Sequence, residues 1–270
     1  MNILTYLQVI PDTVEDLIIA PDGKSLDSEY LRFILNEPAD HALEQGLLLK
    51  EKHGGTLSVI AFDSTDIDEV LFGALAKGAD SAVKITGIEK GKIDSHCTAR
   101  ILQSLLKDKS YDLILTSVQA TDDLDGQVGA MLAMYLGLPY VGVVSGVTVE
   151  GTSVIVRKEF PGGVLEEIRV QLPALLGIQS ASQPPRYVPV ARIRQAMKSG
   201  RIEEITVSEL PKPAEAAVGK TIGDGGIPKA LEILRLLKPE ISGRAEMISG
   251  TPQEIVSRIV GILCEKGLVK

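Results

Sequence analysis

Four times in its first half the chain repeats one pattern: an apolar run of strand length, then a longer stretch with apolar residues at helical spacing. Asn2–Val9 (NILTYLQV) reads as a strand. It is followed by a helix over Asp40–Lys52, with Ala42, Leu43, Leu47 and Lys50 at helical spacing and His53-Gly54-Gly55 as the stop. The strand Thr56–Phe62 precedes a helix over Ile67–Lys77 that ends at Gly78. A short strand, Ala82–Ile85, precedes a helix over Ser95–Lys107 capped by Asp94 or Ser95. A buried strand, Asp112–Ser117, precedes a helix over Gly126–Tyr135 that ends at Gly137. Such alternation means βαβ units and a parallel sheet. Right-handed crossovers then put helices on both faces. The expected fold class is α/β, a doubly wound and mostly parallel sheet. Ligands of such sheets bind outside the carboxyl ends of the strands, near a topological switch point. Three loops leave those ends, after Val9, Phe62 and Ser117.

From Tyr140 the pattern changes. Val141–Val149, Ser153–Glu159 and Leu165–Gln171 are β-rich and broken by Glu150-Gly151 and Pro161-Gly162-Gly163, which predicts an added meander with hairpin turns. A last apolar run, Ala174–Ile178, precedes "SASQPPRY", and the compact domain is expected to span residues 1–185. In residues 186–270, "RIRQAMKSGR" is a basic helical or turn segment, and "VSELPKPAEAAVGKTIGDGGIPK" reads as an extended arm. Pro252–Glu265 is an amphipathic helix with Ile255, Ile259, Ile262 and Leu263 on one face, Thr251 as N-cap and Pro252 at the first helical position. Its stripe must be covered, either by its own domain or by a partner subunit.

Composition narrows the function. Apolar content of 44% over 270 residues supports a sizeable core, and the net charge of −8 argues against nucleic acid as a partner, since phosphate backbones need a basic face. Two distant cysteines and three scattered histidines form no metal spacing, and the thiols read as reduced ones of a cytoplasmic protein. No window reaches the ~18 apolar residues of a membrane span, and "MNILTYLQVIPDT" has no signal-peptide pattern, so no direct membrane insertion is expected. No GxSxG or HExxH motif is present, and His41 and His96 read as surface or packing residues.

The stretch "QATDDLDGQVGA", Gln119–Ala130, is the best candidate site. It leads from a buried strand into a helix, whose N-terminus offers unpaired N–H groups and a partial positive charge suited to phosphate. Gly126 and Gly129 permit close backbone approach, and Gln127 adds an amide. The competing reading is a plain corner, with Asp125 as N-cap and Asp122 and Asp123 in an Asx-type turn. The three acids would suit a divalent ion or, more simply, a solvated turn.

Several stretches in this order resemble the β subunit of electron transfer flavoproteins. "MNIL…QVIPDT" looks like that family's first strand and V-P-D-T turn, and "NEPADHALEQGLLLKEKHGG" resembles its N-P…A-L-E-x-A-L-x-L-K-E segment. "ALAKGADSAVKI" matches its A-L-A-x-G-A-D block, and "DLILTSVQATDDLDGQVGAMLAMYLGLP" resembles its Q-A-I-D-x-D-x-x-Q-x-G signature. "PRY…IRQAMKSGRIEEI" is similar to the loop after the nucleotide domain. The resemblance implies an adenine-nucleotide-binding, Rossmann-like domain. It implies a heterodimer with an α subunit that holds an electron-carrying FAD, with AMP or a second FAD in this chain. The second FAD occurs in electron-bifurcating members. It implies flavin dehydrogenases such as acyl-CoA dehydrogenases as partners, and no side-chain catalytic set. Carried over by position, the adenosine end would touch Tyr6, Leu7 and Phe62 with Asn36 nearby. The phosphate end would meet Asp122, Asp125, Gly126, Gln127, Val128 and Gly129. The segment around Val190 would contact dehydrogenases, and residues 186–270 would dock on the α subunit. The chain departs from the family in having Gln8 where Lys is usual, Asp63-Ser64 where Gly-Pro is usual, and Asp125-Gly126 before the Gln. The alternative function is a stand-alone adenine-nucleotide sensor of the same fold, and a ligase or hydrolase would require a Lys- or Arg-rich pocket.

Overall fold

The computed structural model describes residues 1–270 except 28, 30, 89–93, 123, 211–232, 239–244 and 270. Two compact units divide at 235/236. The first holds a nine-stranded sheet of β1 (Asn2–Tyr6), β4 (Thr56–Phe62), β5 (Ser81–Thr86), β6 (Leu113–Ser117), β7 (Tyr140–Glu150), β8 (Ser153–Phe160), β9 (Val164–Gln171), β10 (Ala174–Ile178) and β11 (Ile202–Thr206). Their order is β11-β5-β4-β1-β6-β10-β7-β8-β9. The pair β2 (Val9–Pro11) and β3 (Phe33–Leu35) forms a separate antiparallel ribbon. All pairings from β11 to β7 are parallel, and β7-β8-β9 is the antiparallel meander expected from the hairpin signals.

Chain order within the sheet explains the two helical layers. From β1 the chain steps through α1 (Glu37–His53) to β4 and through α2 (Ile67–Lys77) to β5. It then crosses back through α3 (Ser95–Leu106) to β6 on the far side of β1, and α4 (Val128–Leu136) follows. With right-handed crossovers, this reversal puts α1 and α2 on one face and α3 and α4 on the other. The core divides accordingly. Leu43, Leu47 and Leu71 pack with Ile3, Leu57, Val59 and Leu115; Ile101, Leu102 and Leu132 pack with Leu4, Ile60, Ile85 and Ile114. Alternate residues of one strand thus enter opposite cores, and both faces being covered explains the continuous apolar runs.

Some boundaries differ from the sequence expectation. The first strand stops at Tyr6. Leu7 N–H still donates to Ile60 O at 2.8 Å, but the chain then leaves the sheet to pair Val9–Pro11 with Phe33–Leu35. α1 starts earlier than Asp40 because Asn36 is its N-cap and Pro38 lies in its first turn. The basic segment is a helix, α5 (Val190–Ser199), packed on α2. The unforeseen β11 follows it and pairs with β5. The division expected at 185/186 therefore falls inside the first compact unit. In the second unit, α6 (Pro252–Glu265) carries the expected Thr251 cap in a capping box with Glu254. Most of the Pro/Gly-rich arm lies outside the described residues, as does Asp123.

Two polar details of the sheet unit yield measurable consequences. Thr5 is 0% exposed beneath Gly46 of α1, whose missing Cβ lets the helix lie close to Leu57 and Thr5. Its hydroxyl has no hydrogen-bond partner among the described residues. Replacing a buried, unpaired hydroxyl by a methyl removes a desolvation cost. Thr5→Val is expected to stabilise the chain by about 1 kcal/mol, read as a Tm rise of roughly 2–4 °C. Lys84 on β5 bonds Glu204 of β11 at 2.8 Å and Asp68 of α2 at 3.0 Å, so one ammonium ties the late strand to the sheet. The Glu204 bond, then the Asp68 bond, raise its pKa from 10.5 to about 12. A raised folded-state pKa contributes stability that is complete below 10.5 and is lost as pH rises through about 12. Lys84→Met is expected to flatten that alkaline slope in urea titrations run between those pH values.

Candidate functional site

The winding reverses between β1 and β6, so the helices that follow these neighbouring strands diverge to opposite faces and leave the carboxyl ends uncovered. A small cleft opens there. Tyr6 and Gln8 line it from the β1 end, and Thr116, Ser117, Val118, Gln119 and Ala120 from the β6 end. Asp125, Gly126 and Val128 complete it from the loop and the start of α4.

The loop between β6 and α4 is held from both helical layers. Asn36, fully buried at the start of α1, donates its amide to Gln119 O at 2.8 Å and accepts from the Thr121 hydroxyl at 3.4 Å. From the other face, Ser95 at the start of α3 donates its hydroxyl to Asp125 Oδ1 at 2.8 Å. The same oxygen accepts from Gln127 N–H at 3.3 Å. Asp125 therefore closes an Asx-type turn one step before the helix, and the N-cap position falls to Gln127 rather than to Asp125. Gly126 cannot be helical, since its φ is +62°. A Cβ there would stand 3.0 Å from Val118 O, so this glycine lets the loop close on itself. At Gly129 a Cβ would come within 2.7 Å of Thr116 Oγ1, so the first turn of α4 lies directly against Thr116.

Thr116 is the informative residue that the sequence reading passed over. It is 1% exposed, lines the cleft, and its hydroxyl has no hydrogen-bond partner among the described residues. Beside it, the first intrahelical bond of α4 runs from Met131 N–H to Gln127 O. The N–H groups of Val128, Gly129 and Ala130 precede that bond and have no acceptor within the helix. A buried donor and a helix N-terminus thus meet at one cleft. Its signal in the sequence was a Thr-Ser pair ending an otherwise apolar strand.

Of the residues expected at the site, Tyr6, Asp125, Gly126 and Val128 line the cleft, and Gln127 and Gly129 sit in the adjoining helix start. Asp122 is exposed and is not among the residues that line the cleft. The Phe62 ring lies in the α3–α4 core and meets Tyr6 edge-on, with centroids 6.0 Å apart. The Leu7 side chain is in the α1–α2 core, and the Asn36 amide is engaged with the loop. Val190 opens α5 and is 58% exposed. Among the described residues no Lys, Arg or His lines the cleft, and Asp125 is its only carboxylate.

The approach to α5 is anchored along one face of α1. His41 Nδ1 accepts from Ala181 N–H, and Gln45 Oε1 accepts from the Ser182 N–H and hydroxyl. Arg186 forks between buried Glu44 and the more exposed Glu51. These bonds hold the Arg186 guanidinium well above its ordinary pKa and the Glu51 carboxyl below its own. Among the described residues no three His, Cys, Asp or Glu side chains converge as a metal site, and no helix is long and apolar enough to cross a membrane.

A doubly wound α/β domain with an open cleft at its switch point, an appended meander and a terminal helical segment is the class that this geometry defines. The electron transfer flavoprotein domain matches residues 25–210, and the chain belongs to that family as a β-subunit member. It is 30% identical over 269 residues to the electron transfer flavoprotein subunit beta of Methylophilus methylotrophus, covering 98% of each chain. It is 31% identical over 265 residues to the Bacillus subtilis (strain 168) protein of the same description, covering 97% of each. It is also 31% identical over 275 residues to subunit CarD of the caffeyl-CoA reductase-Etf complex of Acetobacterium woodii, covering both chains in full.

Thr116 allows the cleft to be tested directly. Thr116→Val is expected to raise the Tm of the free chain, as at Thr5, and in addition to weaken any ligand that pairs with the hydroxyl. Thermal-shift titrations with adenosine and its nucleotides check this: a purely structural Thr116 would leave the ligand-induced shift unchanged.

Proposed function

We propose that the chain is the β subunit of a heterodimeric electron transfer flavoprotein that relays electrons between flavin dehydrogenases and an acceptor. Its cleft holds an adenine nucleotide, AMP or a second FAD. The observation that carries the reading is the orphaned Thr116 hydroxyl beside the start of α4, at the switch point of a family member. A buried donor without an acceptor costs stability unless a ligand completes it. The residues present fit such a ligand: Thr116 and the first-turn N–H groups supply donors, and Gly126 and Gly129 keep the loop and helix start tight around them. Tyr6, braced by Phe62, offers an aromatic edge to the adenosine end. Asn36 and Ser95 hold the loop in place beforehand, which lowers the ordering cost of binding. The flavin, when bound, supplies the redox step, and the protein binds and orients it.

The heterodimer is supported by α6, whose apolar stripe of Ile255, Ile259, Ile262 and Leu263 is left unburied by its own unit. A helix with such a face requires a partner surface. We assign residues 186–270 to partner contacts, with α5 and Val190 facing dehydrogenases and α6 facing the α subunit. The likeness to a subunit of the caffeyl-CoA reductase-Etf complex supports flavin-dependent acyl-CoA dehydrogenases or reductases as the partner class. Cys97 and Cys264 are not joined in a disulfide, which fits the reducing cytoplasm.

The test is co-expression with an electron transfer flavoprotein α chain, followed by purification, release of bound nucleotide and flavin counting by absorbance. Two flavins per heterodimer indicate a second FAD in the cleft and a bifurcating type; one flavin with AMP indicates a simple carrier. Ile259→Asp is expected to abolish co-purification while leaving the sheet unit folded. A chain that stays monomeric beside the α subunit, with no bound nucleotide, refutes the reading.

A further inference from the structure

Among the described residues Asp125 is the one charged side chain in the cleft wall, and it is half-buried there. Its Oδ1 is fixed by two donors on different elements, the Ser95 hydroxyl at 2.8 Å and Gln127 N–H at 3.3 Å. The carboxylate is thus held at the helix start and cannot swing out to solvent without breaking both bonds. Gln8, which lines the same cleft, brings no charge. The start of α4 offers only about half a positive charge from its aligned peptides. A phosphate beside it meets that half-charge and a full negative charge together. A terminal phosphomonoester carries about −1.5 to −2 at neutral pH, whereas each phosphorus of an internal diphosphate linkage carries −1. The Coulomb penalty scales with that charge, so the monoester is the more strongly opposed.

We propose that Asp125, positioned by Ser95, makes the cleft selective for adenine nucleotides whose phosphate near α4 is an internal, singly charged linkage, and selective against a terminal phosphate dianion. The dinucleotide class, to which FAD belongs, is then the preferred occupant, and AMP is a poor one. The inference rests on the adenine-nucleotide reading above and adds a specificity determinant to it. Asp125→Asn is the informative change because an amide retains an Oδ1 acceptor for Ser95 and Gln127 and removes only the charge.

The experiment is calorimetric titration of the nucleotide-stripped complex with adenosine, AMP and ADP-ribose, the last carrying an internal diphosphate without a flavin. The wild type is expected to bind ADP-ribose about tenfold more tightly than AMP. Asp125→Asn should raise AMP affinity by about tenfold, raise ADP-ribose affinity by less, and leave adenosine unchanged. In the wild type, added salt should shrink the gap between the two nucleotides, which requires no variant to fold. AMP binding as tightly as ADP-ribose, or an Asp125→Asn effect equal on all three ligands, overturns the selectivity while leaving the nucleotide site intact. Failure of all three ligands to bind, adenosine included, overturns the nucleotide reading itself and the selectivity with it.

Discussion

Between β1 and β6 the winding of the sheet changes direction, and most of what distinguishes this chain follows from that reversal. Strands added on one side of β1 send their helices to one face; strands added on the other side send theirs to the opposite face. No helix can then pass over the carboxyl ends of β1 and β6. Backbone groups that would be covered elsewhere remain available there, and the helix that follows β6 points its N-terminus at the gap. Position in the sheet, more than any short motif, makes Gln119–Ala130 a candidate ligand loop.

An uncovered end must still be held rigid. Asn36 from α1 and Ser95 from α3 reach the same loop from opposite faces, so both helical layers set its shape. The two hydroxyls of the parallel sheet left without a partner among the described residues show how location changes meaning. Thr5 faces α1 and is sealed beneath it, so its lack of a partner is only a cost. Thr116 faces α4 and lines the cleft, so the same chemistry is available to a ligand. The two residues differ in which side of the pleat they occupy and in what lies beyond.

Much of the fold was legible because both faces of the parallel sheet are covered, which forces continuous apolar runs that read clearly as strands. Glycine stops at Gly54, Gly78 and Gly137 marked the helix ends for the same reason that they occur, a need for backbone conformations that close off a helix. β11 was not legible, because Ile202–Thr206 is an edge strand carrying Glu203 and Glu204, which lacks the apolar signature of a central one. The split of the first strand was missed because it depends on a distant partner, Phe33–Leu35. At the site, the loop was recognisable from its glycines and acids, but the roles within it were not. Asp125 was expected either as a cap or beside a phosphate; the cap position falls to Gln127, and Asp125 closes an Asx turn and bonds Ser95, thirty residues earlier in the chain. Asn36 was expected near the ligand and is engaged in holding the loop.

By itself the sequence determined the α/β class, the meander, the loop that lines the cleft, and the membership of the chain in a family, because these reside in local periodicity and in short contiguous blocks. The tertiary structure alone decided which strands are neighbours, where the winding reverses, and which polar groups are left without partners. Those properties depend on residues far apart in the chain meeting across the sheet, and no local pattern of side chains encodes such meetings. The negative charge at Asp125 was present in the sequence; that it is pinned from α3 at the wall of a cleft with no other charge among the described residues is a fact of the fold.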